Sequence, residues 1–200
     1  SYREAIARTV EHFTGRPVTR EQIQQYKNAG GWNNDWALSQ RISADLGVEL
    51  SYVTVVEYFQ SIFLGERGLI HQERWIAGPG LLERLSERYQ LAIFTGRERA
   101  EAEITLRRAA GAVKFDPVVT TDDVRNGKPA PDGLHRIAEL SPGKRMWYIG
   151  DTVDDARASS AAGVPFIGIT GGSSELAGLL EREGAVAVLD DINQLETALS

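Results

Sequence analysis

Residues 146–170 read MWYIGDTVDDARASSAAGVPFIGIT. An apolar run at 146–149 stops at Gly150, an amphipathic stretch at 154–162 ends at Gly163, and a second apolar run follows at 166–169. Strand, helix and strand at this spacing form a βαβ unit, which requires a parallel sheet covered by helices. The same alternation extends in both directions. Strands are expected at 91–94, 118–120, 146–149, 166–169 and 185–189. Helices are expected at 79–89, 98–110, 131–140, 154–162, 174–183 and 192–199, with Gly111, Gly163 and Gly184 where C-caps belong. The fold class is therefore α/β, a doubly wound parallel sheet.

Upstream of Gly78-Pro79-Gly80 the pattern is helical. Tyr2, Ile6, Val10 and Phe13 fall at helical spacing, and Gly15-Arg16-Pro17 closes that helix. Thr19 with Gln22 reads as a capping box, Gly30-Gly31 ends the second helix, and 35–46 forms a third. Residues 51–64 are rich in β-branched side chains, but their length and neighbours favour a buried helix. The organisation is a helical domain at 1–72 and an α/β domain at 73–200.

Composition sets outer bounds. The chain has 200 residues, a formal net charge of −6, 42% hydrophobic and 25% charged residues, and no cysteine. An acidic chain disfavours nucleic-acid and anionic-membrane partners, and the lack of thiols removes disulfides and thiolate metal sites. The segment SYREAIARTV is charged, and no long apolar segment follows. The expectation is a cytoplasmic protein.

In doubly wound sheets, ligands bind beyond the carboxyl ends of the strands. Four such places exist. After Phe94, Thr95-Gly96-Arg97 offers a hydroxyl and two amides as an anion cradle, or else Thr95 caps the next helix. Arg97 is suited to a substrate carboxylate or phosphate, or to Glu101 one turn on. After the second strand, Lys128 precedes Pro129-Ala130-Pro131, a stiff stretch that would aim an ammonium, or else Lys128 is a solvated loop residue. After the third strand come Asp151, Asp154 and Asp155. Neighbouring carboxylates would raise each other's pKa, so a bound cation is the better solution, and an oxygen-only set suits Mg²⁺; the alternative is an acidic helix start. After the fourth, Gly171-Gly172-Ser173-Ser174 is what a turn and an N-cap need. His12, His71 and His135 show no ligand spacing.

Taken together, FTGR (Thr95), GKPAPDG (Lys128) and IGDTVDD (Asp151, Asp155) resemble the second, third and fourth motifs of the haloacid dehalogenase superfamily of phosphohydrolases. The stretch GPGLLERLSERYQLAIFTGR is similar to phosphoglycolate-phosphatase-like members. The resemblance implies a Rossmann-like core with an α-helical cap, a small phosphorylated metabolite as substrate, and hydrolysis through an aspartyl-phosphate. It further implies that Thr95 and the Gly96 amide hold phosphoryl oxygens and that Lys128 neutralises phosphoryl charge. Asp151 would bind Mg²⁺ directly, and Asp155 directly or through water. The Gly30–Trp36 break suggests that Trp32, Asn33 or Asn34 reads the leaving group; otherwise Trp32 and Trp36 pack the cap and Asp35 caps a helix. The family's first motif, an Asp-x-Asp pair, does not occur in these residues. It is expected on a core strand upstream of Ser1, within about 10–20 further residues at the front of the chain. Rival readings are a non-catalytic phosphometabolite-binding protein and a phosphomutase.

Overall fold

A computed structural model describes residues 1–199. The chain divides into two compact units, Ser1–Arg74 and Trp75 onward.

The first unit is α-helical, with α1 (Tyr2–Thr14), α2 (Arg20–Ala29), α3 (Asp35–Asp45) and α4 (Tyr52–Leu64). Thr19 and Gln22 form the expected reciprocal cap, at 3.2 and 2.8 Å. The β-branched stretch is helical because Val55, Phe59 and Phe63 recur every fourth residue and are all fully buried. Ser51 caps it by accepting the Thr54 N–H at 3.1 Å. Asn34 caps α3 by accepting from Ala37 N–H at 2.9 Å. Asp35 does not cap; it pairs with Lys27 at 2.5 Å.

The second unit alternates helices and strands: α5 (Leu81–Arg88), β1 (Leu91–Phe94), α6 (Arg99–Ala109), β2 (Phe115–Val119), α7 (Asp132–Leu140) and β3 (Tyr148–Gly150). It continues with α8 (Val153–Ala162), β4 (Phe166–Ile169), α9 (Ser174–Arg182), β5 (Ala187–Leu189) and α10 (Leu195–Ala198). β1 pairs in parallel with β2, and β3, β4 and β5 form a second parallel sheet in that order. The fold is thus α/β with parallel sheets.

Several boundaries differ from the sequence reading: β3, expected at 146–149, is Tyr148–Gly150, and β5, expected at 185–189, is Ala187–Leu189. β2 begins at Phe115 and runs through Pro117, which lacks a backbone donor; the register of β1 on β2 shifts between Leu91 and Ile93. The helix expected at 192–199 is a 3₁₀ turn, Ile192–Gln194, followed by α10. Gly111 is no cap, since α6 ends at Ala109 with Ala110 as its C-cap. Gly163 does cap α8, at φ 67°.

Both sheet faces are covered. On one, Leu134 and Ile137 of α7, Ala156 of α8 and Leu180 of α9 pack with Phe94, Val119, Tyr148 and Phe166. On the other, Leu81 and Leu85 of α5 and Leu195 of α10 pack with Ile167. β4, buried at all four positions, is apolar throughout, which is why it was legible as a short unbroken run. Among the described residues, no helix is long and apolar enough to cross a membrane.

Candidate active site at the ends of β1 and β3

β1 ends at Phe94 and β3 at Gly150, and the side chains that follow are the site candidates. Lys128 leaves the loop after β2 and turns inward, its side chain only 9% exposed. Its ammonium lies 5.0 Å from the Phe94 ring centroid. It donates to Asp155 Oδ1 at 2.7 Å and to the Tyr148 hydroxyl at 3.1 Å. Lys128 is therefore not a solvated loop residue.

Asp155 sits in the first turn of α8 and is 3% exposed. Beyond Lys128, its Oδ1 accepts from Tyr148 Oη at 2.6 Å. Its Oδ2 accepts from Asp151 N–H at 3.2 Å, Thr152 N–H at 3.1 Å and Thr152 Oγ1 at 2.7 Å. The Thr152 hydroxyl in turn accepts the Asp155 N–H at 3.1 Å, closing a capping box. Five donors on one carboxylate use all its lone pairs. Gly150 permits this fold-back: a Cβ there would stand 2.6 Å from both Asp155 Cβ and Cγ.

The electrostatics differ from the simple expectation for a carboxylate cluster. Burial works to raise the Asp155 pKa, but the Lys128 charge and the bonds from Lys128, Tyr148 and Thr152 outweigh it and hold the group below the usual carboxylate range. Burial likewise opposes the Lys128 ammonium, and the Asp155 charge overrides it, so that group stays protonated well above its ordinary value. Burial pushes the Tyr148 hydroxyl up, which keeps it a neutral donor. Mutual repulsion of the carboxylates is not what governs Asp155; a cation from this chain is.

A pH prediction follows. A depressed Asp155 contributes stability that is present above about pH 4 and lost as pH falls further. A raised Lys128 contributes stability present below about pH 10.5 and lost only as pH rises beyond it. The deficit of Lys128→Met in urea midpoint should be full near about pH 9 and shrink as pH falls, because the stranded Asp155 carboxyl takes up a proton more readily than the paired one. A deficit that stayed the same from about pH 9 down to about pH 3 would refute the paired state.

The remaining candidates are distributed as follows. Thr95 is half-buried, its N–H donates to Val119 O at 3.0 Å, and its hydroxyl accepts the Arg97 N–H at 3.2 Å. It does not cap α6, whose N-cap is Glu98. Gly96 is exposed. The Arg97 guanidinium donates to Thr105 at 3.0 Å. Asp151 is exposed. Ser173 caps α9 by accepting from Leu176 N–H at 3.2 Å, as the turn reading expected.

Trp32, Asn33 and Asn34 lie in the first unit. The Trp32 carbonyl accepts from Lys27 Nζ at 3.1 Å and its ring meets Tyr26 edge-on. Asn34 is occupied as the α3 cap and also donates to the Tyr52 hydroxyl at 2.9 Å. Asn33 is partly buried.

As a metal site the arrangement is partial. The donors are all oxygen, which suits Mg²⁺. Asp155, however, is saturated by hydrogen bonds and is not open as a direct ligand. Among the described residues no group of three or more His, Cys, Asp or Glu side chains could hold an ion. Asp151 alone would supply one ligand.

Two members of the network were not singled out by sequence reasoning. Tyr148 was read only as part of a strand, yet a tyrosine in a buried strand needs a partner for its hydroxyl, and that was its signal. Thr152 was legible as the Thr-x-x-acid box with Asp155.

The chain belongs to the haloacid dehalogenase-like hydrolases, whose family pattern it matches over residues 2–169. It is 32% identical over 197 residues to an imidazoleglycerol-phosphate dehydratase of Phytophthora nicotianae, covering 92% of this chain and 43% of that protein. It is 43% identical over 61 residues to the phosphoglycolate phosphatase of Escherichia coli K12, covering 29% of this chain and 24% of that protein. The chain thus spans less than half the length of these curated relatives. Among solved structures, a hydrolase from Pseudomonas syringae superposes with a TM-score of 0.71 at 24% identity, over 99% of this chain and 90% of that one.

Proposed function

We propose that the chain carries a Mg²⁺-dependent phosphatase for a small phosphorylated metabolite, phosphoglycolate-like or a sugar phosphate. One observation carries this reading: a lysine ammonium held charged and nearly buried between the ends of β1 and β3. A fixed cation in a low-dielectric strand-end site is worth far more to a phosphoryl group than a mobile surface lysine. Membership of a hydrolase family and the match to a phosphoglycolate phosphatase segment support the substrate class.

Each residue then has a physical task. Thr95, through its hydroxyl, and Gly96, through its amide, hold phosphoryl oxygens where Gly96 leaves the backbone open to approach. Lys128 neutralises phosphoryl charge, and Tyr148 and Asp155 hold it in one position. Asp151 contributes a carboxylate to Mg²⁺, which when bound would neutralise further phosphoryl charge. An Asp-x-Asp pair, which would supply the nucleophile of an aspartyl-phosphate route, does not occur in these 200 residues. Trp32, Asn33 and Asn34 are proposed to face the leaving group, with Asn34 the weakest of the three because its side chain already caps α3.

The test is a screen of phosphorylated metabolites with the full-length gene product, with Mg²⁺ and with a chelator. Asp151→Asn should lower Mg²⁺-dependent turnover by about 10²-fold or more, the order expected for several kcal/mol of lost charge stabilisation. Its urea midpoint, measured alongside, separates a loss of chemistry from a loss of fold. Unchanged turnover, or turnover indifferent to the chelator, would remove Asp151 and the metal from the reaction.

A further inference from the structure

The loop that presents Lys128 is closed by one carboxylate. Asp132, the first residue of α7, accepts at Oδ2 from the Asn126 N–H and from Asn126 Nδ2, both at 3.1 Å. Inside that clasp the Ala130 N–H donates to Gly127 O at 3.0 Å. Asn126 and Gly127 are both exposed and lie outside any helix or strand, and they form the one Asn-Gly pair in the sequence. Among the described residues the Gly127 N–H has no acceptor. A Cβ at Gly127 would meet nothing within 4 Å, and its φ is not positive, so the loop has open space there and no conformational need of glycine. The other asparagines are placed differently. Asn28 lies within α2, Asn34 caps α3, and Asn33 is partly buried. Asn193 is held in a 3₁₀ turn, where its side chain bonds Gly78 N–H at 2.5 Å and Ile76 O at 3.1 Å.

We propose that Asn126 is a site of spontaneous deamidation, and that the reaction unclasps the Lys128 loop. The step needs only water as co-reactant. The Gly127 amide nitrogen gives up its proton and attacks Asn126 Cγ, forming a five-membered succinimide. The bond from Cγ to Nδ2 breaks, and that nitrogen leaves as ammonia with the proton. Water then opens the ring. Cleavage at Cγ gives aspartate, and cleavage at the main-chain carbonyl carbon gives isoaspartate; nothing is oxidised or reduced. Three observations select this pair: the attacking amide is not tied up in a hydrogen bond, no side chain at 127 blocks its approach, and both residues are open to water. The Asp132 bonds restrain Asn126, and they are what the product loses. An amide that donated to Asp132 Oδ2 becomes a carboxylate that cannot donate, so two acceptors of like charge face each other across the former bond. In the isoaspartyl product a methylene also enters the main chain ahead of Gly127, which shifts the Asn126 N–H against Asp132 as well. The inference concerns the loop and stands whether or not the protein hydrolyses phosphate esters.

The experiment holds the folded 200-residue chain in mildly alkaline buffer and follows its asparagines by peptide mass mapping, with isoaspartate detected by enzymatic methylation. Asn126 should convert ahead of Asn28, Asn33, Asn34 and Asn193. Gly127→Ala, for which the loop has room, should slow the conversion by about tenfold or more, because a methyl group stands beside the attacking nitrogen. Freshly made Asn126→Asp carries the aspartyl product from the start. Its Ala130 amide should exchange about tenfold faster than in the native chain, as expected for a loop that opens more readily. An Asn126 that stays intact while another asparagine converts, or one that reacts equally fast in Gly127→Ala, overturns the site. Native exchange at Ala130 in both Asn126→Asp and the aged chain overturns the unclasping.

Discussion

Lys128→Met should destabilise the protein by about 3–5 kcal/mol, the usual cost of removing one partner from a buried ion pair. The wild-type pair is close to closed accounts: two charges desolvated, 2.7 Å apart, with side chains 9% and 4% exposed. Removing the ammonium leaves Asp155 buried, and the four donors that remain on its oxygens soften the loss without supplying a charge. The carboxyl should then take up a proton more readily. Adding Asp155→Asn to Lys128→Met should recover most of the loss, because an amide has no charge to strand. The measurement is a double-mutant cycle of urea midpoints on the whole chain. A single-variant loss under about 1 kcal/mol would place the pair in the class of solvated surface bridges.

Gly133→Ala should destabilise by about 1–3 kcal/mol, the range for forced overpacking, although alanine is the better helix former by about 1 kcal/mol. Gly133 lies in the first turn of α7, and a Cβ there would come within 2.1–2.4 Å of three atoms of the Phe94 ring. The ring cannot simply step aside. It packs against Tyr148 at a 6.0 Å centroid distance and under the Lys128 ammonium at 5.0 Å. The clash therefore beats the propensity. In a Phe94→Leu background the same change should become neutral or stabilising, since the blocking ring is gone. Stabilisation by Gly133→Ala in the native background would contradict the close approach of α7 to β1.

Much of this arrangement is written locally. β4 is buried at all four positions and the other strands are apolar at most of theirs, so they appear as short apolar runs, and the intervening helices carry their own stops. The Thr19–Gln22 box and the Gly163 cap are contacts between residues a few positions apart, which is why a pattern reading finds them. Lys128 was conspicuous for the stiff proline segment after it, and Asp151 and Asp155 for their crowding at a strand end. What could not be read was the destination of each side chain. Lys128 lies 27 positions from Asp155 and 20 from Tyr148, and no local pattern links such distant positions. For the same reason, the full set of five donors that converges on Asp155 could not be read from its neighbours in the chain.

By itself, the sequence determined the α/β class, the succession of elements and which strand ends carry charged groups, because periodicity and capping act over one or two turns of chain. Only the tertiary structure decided that Asp155 pairs with Lys128 and that Tyr148 locks the two together. Those outcomes depend on which distant groups burial forces to satisfy one another.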